Sequence, residues 1–255
     1  MAKHTDTRPA HHRISAKIRA EIMSGDLAAG QQLPITQDLV TQYGVSSQTI
    51  QRALGLLKAE GYIVGRSGLG VFVRDSPQQA FDSVATMPAA RDGEPYVWIK
   101  EAAKQSKVGT NRILRVAEVV PPTQVRDALG LEPGETVAMR ERLLLLDEDP
   151  AELVWSYYPM DIAQGTALLE RKKIKGGSPT LLADKGYPPR EMVDRVSCRP
   201  PTEEEFVGLE LPTEVPVLRT LRVVYSDNAK PIEVTVMVKA AHLHELLYRV
   251  SLDLD

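Results

Sequence analysis

The chain has 255 residues, with 31 Lys and Arg, 34 Asp and Glu and a formal charge of −3, and that length allows two domains, each with its own core. A lone cysteine, Cys198, excludes an intramolecular disulfide and a multi-cysteine metal site; it is expected to be a small buried or half-buried filler. No apolar run approaches the roughly 18 residues that span a bilayer, and the polar residues 1–6 lack the apolar stretch of a signal peptide, so a cytoplasmic protein with no membrane contact, no metal and no cofactor is expected. The charge is uneven: residues 1–74 carry nine Lys and Arg against five Asp and Glu, a net +4, and the remainder carries −7. A basic head on an acidic body suits an electrostatic footprint confined to one domain.

Residues 1–11 are polar, contain Pro9 and are expected to form a flexible arm. Ile14, Ile18 and Ile22 then recur at helical spacing. The turn Gly30-Gln31-Gln32-Leu33-Pro34, a short helix to Tyr43 and a longer helix over residues 46–60 follow, and residues 61–74 read as a hairpin around Gly68-Leu69-Gly70. Two helices joined by a glycine-containing turn, with a hairpin behind them, are the layout of a winged helix-turn-helix. That reading places a DNA-binding domain at residues 12–74 and points to gene regulation rather than catalysis.

On the longer helix Ile50, Ala53, Leu54 and Leu57 share one face, which leaves Ser47, Gln48, Gln51, Arg52 and Lys58 outward. Ser46 suits the N-cap and leaves backbone N–H groups near the helix start for a phosphate. A helix in the major groove reads bases with its first turns. Gln48 or Gln51 can pair with adenine, Thr49 can meet a thymine methyl, and Arg52 can reach guanine or a phosphate. Each of these residues alone is as readily a solvated polar side chain; for the group, placed after a helix and a turn, DNA contact is favoured. Arg66-Ser67-Gly68-Leu69-Gly70 sets one charge and two glycines at the hairpin tip. Glycine allows close backbone approach and positive φ, as a wing touching the minor groove or its phosphates requires; an ordinary glycine turn is the plain alternative.

Residues 75–106 are expected to be a linker; within them residues 97–104 fit a strand or a helix equally. Beyond, strands separated by Pro and Gly turns dominate. Residues 113–120 form a strand ending at Pro121-Pro122, and a short helix over 123–129 ends at Gly130. Residues 136–146 and 151–158 make a hairpin around Asp147-Glu148-Asp149-Pro150. Residues 180–185 are helical and capped by Gly186, residues 192–199 are extended, and 202–209 form a helix with acids in its first turn. Residues 218–226 and 231–239 make a second hairpin. Strands mixed with short helices mean an α+β domain with a largely antiparallel sheet. His242 and His244 lack acidic or cysteine partners at metal spacing and are expected at the surface.

Gly30-Gln31-Gln32-Leu33-Pro34, Tyr43-Gly44-Val45-Ser46, Ala53-Leu54-Gly55-Leu56-Leu57, Glu60-Gly61-Tyr62-Ile63 and Gly68-Leu69-Gly70-Val71-Phe72-Val73 together resemble the N-terminal domain of GntR-family bacterial transcription regulators. The resemblance covers about the first third of the chain. It implies that Arg13, Thr36, Gln37, Ser46, Ser47, Gln48, Thr49, Gln51, Arg52, Lys58 and the tip residues Arg66, Ser67, Gly68, Leu69 and Gly70 face DNA. Three arginines of the family pattern are replaced here by Gln37, Ser47 and Gln51, so the operator is expected to differ from the common one.

The remainder is similar, more weakly, to the UTRA effector domain of the HutC-type subfamily. The matching pieces include residues 128–137, Arg140-Glu141-Arg142, Trp155-Ser156-Tyr157-Tyr158-Pro159 and Pro231-Ile232-Glu233-Val234-Thr235. The resemblance implies a chorismate-lyase-like α+β fold over residues 107–252, an effector cavity and a homodimer. Arg140, Arg142, Trp155, Tyr157, Glu233 and Thr235 are the residues it places at the effector. Arg140 and Arg142 share a strand face, and two adjacent guanidiniums invite an anion, so the effector is expected to be acidic or phosphorylated. Salt bridges to Glu141 or Glu233 are an equal alternative, and core packing is an alternative for the aromatics. After Glu233 the usual family run is replaced by Met237-Val238-Lys239-Ala240-Ala241-His242, so the effector is expected to differ too.

A homodimeric repressor, bound to an inverted-repeat operator in double-stranded DNA and released by a small effector, is the function these readings favour, with no catalytic residues. Two others stand beside it: a chorismate-lyase-like enzyme with a DNA-binding head, and a regulator whose second domain binds a protein. No Ser/His/Asp, Cys/His or metal-ligand group supports the enzyme.

Overall fold

The computed structural model describes residues 6–75, 79–82, 97–104, 106–212 and 215–248. It divides into two compact units, Met1–Gln79 and Ala80–Asp255. The expected arm at 1–11 and the linker at 75–106 fall partly outside the described residues.

The first unit holds α1 (Ala10–Ser24), α2 (Thr36–Tyr43), α3 (Ser47–Ala59), β1 (Ile63–Arg66) and β2 (Gly70–Val73). The helix-spaced Ile14, Ile18 and Ile22 of α1 meet Leu39 of α2 and Ile50, Ala53, Leu54 and Leu57 of α3 in one core, closed by Tyr62, Ile63 and Val73. Each of the isoleucines, leucines and the valine contributes about 1.5–3 kcal/mol on burial. Gly44 stops α2 in the left-handed conformation, φ 63°. Arg19 clamps the end of α3, its guanidinium donating to both carboxylate oxygens of Glu60 at 2.8 and 2.6 Å.

The second unit begins with β3 (Gln79–Asp82), α4 (Val97–Lys104), β4 (Gly109–Val119) and α5 (Thr123–Leu129). Next come β5 (Val137–Leu146), β6 (Asp149–Pro159), α6 (Met160–Ala163), a 3-10 turn at Ala167–Leu169 and α7 (Gly177–Asp184). The last elements are β7 (Glu191–Arg199), α8 (Glu203–Gly208), β8 (Val217–Tyr225), β9 (Pro231–Ala240) and β10 (His244–Leu247). Six strands form one sheet in the order β4-β5-β6-β9-β8-β7, and β3 and β10 make a separate pair. Every neighbouring pair in the large sheet is antiparallel, which gives the α+β class.

Residues 97–104, open between strand and helix in sequence, are helical because Trp98 and Ala102 lie on one side and pack on Leu144, Leu146 and Val154. The β5–β6 turn is tighter than the four residues expected. Strand pairing runs to Leu146 and resumes at Asp149, and Asp147 and Glu148 both take positive φ, 51° and 72°, as a two-residue hairpin turn needs. The seventh helix starts three residues earlier than expected, at Gly177, with Pro179 in its first turn.

Cross-strand register sorts the sheet into two faces. Ile113, Arg142 and Val154 lie side by side on one, as do Arg140, Ser156, Thr235, Arg222 and Asp194. That face is covered by α4 and by Ile162, Leu168 and Leu182. Met139, Tyr157, Val234 and Val223 share the opposite face, under Val125 and Leu129 of α5.

Two expectations fail. Cys198 is exposed, because β7 is an edge strand with only β8 beside it. His242 and His244 are buried, 9% and 3% exposed; Nδ1 of His244 lies 3.0 Å from the Ala240 carbonyl oxygen, where the chain turns out of β9.

Candidate nucleic-acid interface and effector cavity

The recognition surface of the head is polar and open, with Arg13 and Arg52 as its exposed cations. Ser46 caps α3, its Oγ accepting from the Thr49 N–H at 3.3 Å, and the two hydroxyls lie 3.0 Å apart. Ser46, Ser47, Gln48, Gln51 and Arg52 are exposed and Thr49 is half-buried. Gln51 Nε2 donates to Thr36 Oγ1 at 3.0 Å and so ties the reading helix to the start of α2. Gln37 and Arg13 are exposed, and Thr36 is half-buried. Lys58 stands about 16 Å along α3 from Ser47 at 1.5 Å per residue, and its Nζ lies beside Gly65, one pair from the tip of the wing. At the hairpin tip Arg66, Ser67, Gly68, Leu69 and Gly70 are all exposed. The Arg66 guanidinium is not extended from the tip; it stacks on the Phe72 ring, 4.5 Å from its centroid. Gln32, a residue the sequence reading did not single out, donates from Nε2 to the Leu69 carbonyl at 2.7 Å.

In the second unit a cavity of about 180 Å³ opens on the sheet face that carries Arg140 and Arg142. It is lined by Asn111 and Ile113 of β4, Arg140 and Arg142 of β5, Tyr158 of β6 and Ile99 of α4, and by Lys173, Ile174, Gly177 and Ser178 around the start of α7. Three cations and no carboxylate belong to this lining. The Oδ1 of Asn111 is buried and accepts no hydrogen bond.

The two arginines do different work. Arg140 is buried, 4% exposed. Its Nη1 donates to the carbonyls of Ala167, Leu168 and Glu170 at 3.0, 2.9 and 2.7 Å, and its Nη2 to that of Lys172 at 2.7 Å. Burial lowers its pKa; Tyr158 opposes that shift and Arg142 adds to it. Arg140 therefore holds the 167–172 loop over the sheet, a role neither expected alternative, ligand or carboxylate, included. Arg142 is half-buried and donates to Ser156 Oγ at 2.7 Å. Ser156 Oγ lies 2.9 Å from Thr235 Oγ1, which donates to Glu233 Oε1 at 2.7 Å, and Ser178 Oγ reaches Glu233 Oε2 at 3.4 Å. Glu233 and Thr235 thus stand behind the cavity wall, joined to it at Arg142 and Ser178. Burial, with Glu233 nearby, raises the pKa of Tyr158, which keeps its hydroxyl neutral.

Trp155 and Tyr157 are not at the cavity. Tyr157 pairs with Met139, and Trp155 with Glu141, so both point to the opposite face and pack in its apolar clusters. The residues that follow each of them, Ser156 and Tyr158, face the cavity side; alternation within β6 carries that signal once the register with Arg140 is known. Lys173, Ile174, Gly177 and Ser178 carried no signal in the sequence.

A winged helix-turn-helix with an open reading helix, joined to an antiparallel α+β domain, defines a class: a DNA-binding transcriptional regulator. Residues 10–73 match the model of the gntR family of bacterial regulatory proteins, and residues 104–244 match the UTRA domain. The chain belongs to the GntR family, in its UTRA-containing branch. It is 30% identical to an HTH-type transcriptional regulator of Streptomyces coelicolor over 210 residues, 80% of this chain and 78% of that one. It is 23% identical to a fructoselysine utilization operon transcriptional repressor of Escherichia coli, over 97% of this chain and 96% of that one. Among solved structures, a GntR-family regulator aligns over 96% of this chain and 99% of its own with a TM-score of 0.62 at 22% identity. PhnF of Mycobacterium smegmatis aligns over 95% of this chain and 99% of its own with a TM-score of 0.57 at 17% identity; both show the shared fold.

Proposed function

We propose that this chain is a homodimeric, cytoplasmic repressor of the HutC type, not an enzyme, released from an inverted-repeat operator by a small anionic effector. Residues 12–74 form the DNA-binding domain and 107–252 the effector and dimerisation domain; of the arm expected at 1–11, Ala10 and His11 belong to α1, and of the linker expected at 75–106, α4 packs with the second unit. The observation that carries the reading is the cavity lined by Arg140, Arg142 and Lys173 with no carboxylate among its lining residues. An anion there is favoured by net positive charge, by the Arg142 guanidinium and by the first turn of α7, where Gly177 and Ser178 stand. Asn111 adds a buried acceptor, its Oδ1, for a donor group carried by the same effector. The repressor sign follows the Escherichia coli relative, which is named a repressor. In a dimer two reading helices meet half-sites about 34 Å apart, and an effector that prefers one arrangement of the heads shifts the population away from the other. Ser46, Ser47, Gln48, Thr49, Gln51 and Arg52 make the base and phosphate contacts, with Arg13, Thr36 and Gln37 flanking them.

The test is selection of genomic fragments by the purified chain, followed by release with acidic metabolites of the flanking genes. A true effector raises thermal stability by about 2.7 kcal/mol at a hundred times its Kd and frees the DNA. Arg142→Ala should keep DNA binding and lose the release. No preference over bulk DNA at moderate salt would sink the reading of the head; selective binding with no release by any anion would sink that of the cavity.

A further inference from the structure

The wing is fastened to the segment before α2. Gly30 and Leu33 donate backbone N–H groups to Val73 and Val71, and Val73 donates to Gln31. Gln32 bridges Phe72, and its side chain continues to the tip, where Nε2 holds the Leu69 carbonyl. A Cβ on Gly70, φ +115°, would lie 2.7 Å from that same Nε2, so the glycine makes room for the glutamine. The Leu69 N–H closes the tip turn on the Arg66 carbonyl at 3.0 Å. Both backbone polar groups of Leu69 are therefore engaged, and its peptide is fixed.

With Arg66 drawn back onto Phe72, the tip keeps the small Ser67 and one large side chain, the apolar Leu69. Leu69 is 64% exposed and flanked by Gly68 and Gly70, and no Cβ there stands between it and an approaching surface. A turn of glycine and serine needs no leucine in order to form. An apolar side chain on a pre-ordered, glycine-flanked tip suits the sugar walls and base steps of the minor groove, where apolar residues act as wedges. Such a contact neutralises no phosphate and releases no counterion.

We propose that Leu69 is a non-ionic wedge of the wing in the DNA minor groove, and that Gln32 is its positioning residue. This rests on the head binding DNA. The test uses the full chain and a duplex that the wild type selects from genomic fragments, with affinity measured at several salt concentrations. Leu69→Ala and Gln32→Ala should each weaken binding about tenfold, the scale of burying one leucine, and leave the slope of log K against log salt unchanged. Arg52→Ala should instead lower that slope. Because Gln32 acts through Leu69, the double variant should lose no more than the weaker-binding single one. Both positions are exposed, so the variants should melt with the wild type. Leu69→Ala binding within twofold of wild type would overturn the wedge, as would a loss that carries a changed slope. Additive losses would overturn the role given to Gln32. A wild-type chain that selects no duplex would overturn the inference together with the reading beneath it.

Discussion

The two domains use polar side chains in opposite ways. The head turns Ser47, Gln48, Gln51 and Arg52 to solvent and, apart from Ser15 and the Glu60 that Arg19 holds, keeps its core apolar. The second domain buries Arg140, Glu152, Ser156, Arg222, Glu233, Thr235 and Lys239 and satisfies them largely with one another or with the backbone. An exposed polar residue of the reading helix is held available for a partner outside the chain, and its loss should register as affinity. A buried polar residue in the sheet domain already has its partner, and its loss should register as stability. Both tryptophans, Trp98 and Trp155, belong to the second unit, so their fluorescence follows that domain's unfolding alone.

The largest effect is expected at Arg140. Arg140→Met strips four carbonyls of their donor and should destabilise the second domain by about 3–5 kcal/mol in urea; a loss under about 1 kcal/mol would break the comparison. Lysine should not rescue it, because one ammonium lacks the planar fork. The buried pair Lys239–Glu152, at 2.7 Å, comes next. Glu152→Ala should cost about 3–4 kcal/mol by leaving a buried ammonium alone, whereas Glu152→Leu with Lys239→Met should be near neutral.

Acid gives a third test. Burial holds the His244 pKa down at about 4, with Lys239 and His242 adding to the shift and the Ala240 carbonyl opposing it. Unfolding lets that ring take a proton at an ordinary value near 6.5. The unfolded state therefore binds more protons between these values, and stability falls as pH drops from about 6.5 towards 4, by roughly 3 kcal/mol in all. His244→Phe should flatten that stretch of the urea-midpoint profile; an unaltered profile would assign the acid sensitivity elsewhere. Thr202 caps α8 in a reciprocal box with Glu205, and Thr202→Ala should cost about 1 kcal/mol. In the head the stability effect is smallest: Gln48→Ala and Arg52→Ala should stay within about 0.5 kcal/mol of wild type. Their DNA affinity should nonetheless fall by about tenfold or more. A head variant that unfolds before it loses DNA would blur the division.

Elements were legible in the sequence where local chemistry determines them. Helix-spaced isoleucines marked α1, Gly44 and Gly130 marked two helix ends, and Pro and Gly marked the strand ends. Partners were not legible where they depend on distant register. Alternation puts Arg140 and Arg142 on one face, but the carbonyls that occupy Arg140 lie 27 to 32 residues further along. Trp155 and Tyr157 sit on the strand next to both arginines, yet one step of parity sends them to the other side. The recognition helix needed no such information, because its outward residues follow from its own inward ones.

Cys198 has a practical consequence. It is the chain's single thiol and lies exposed on β7, so a maleimide dye or nitroxide attaches at one known place with no cysteine to remove first. In an assembly of two copies that label would yield one intermolecular distance, recorded on the natural sequence with DNA and effector added in turn.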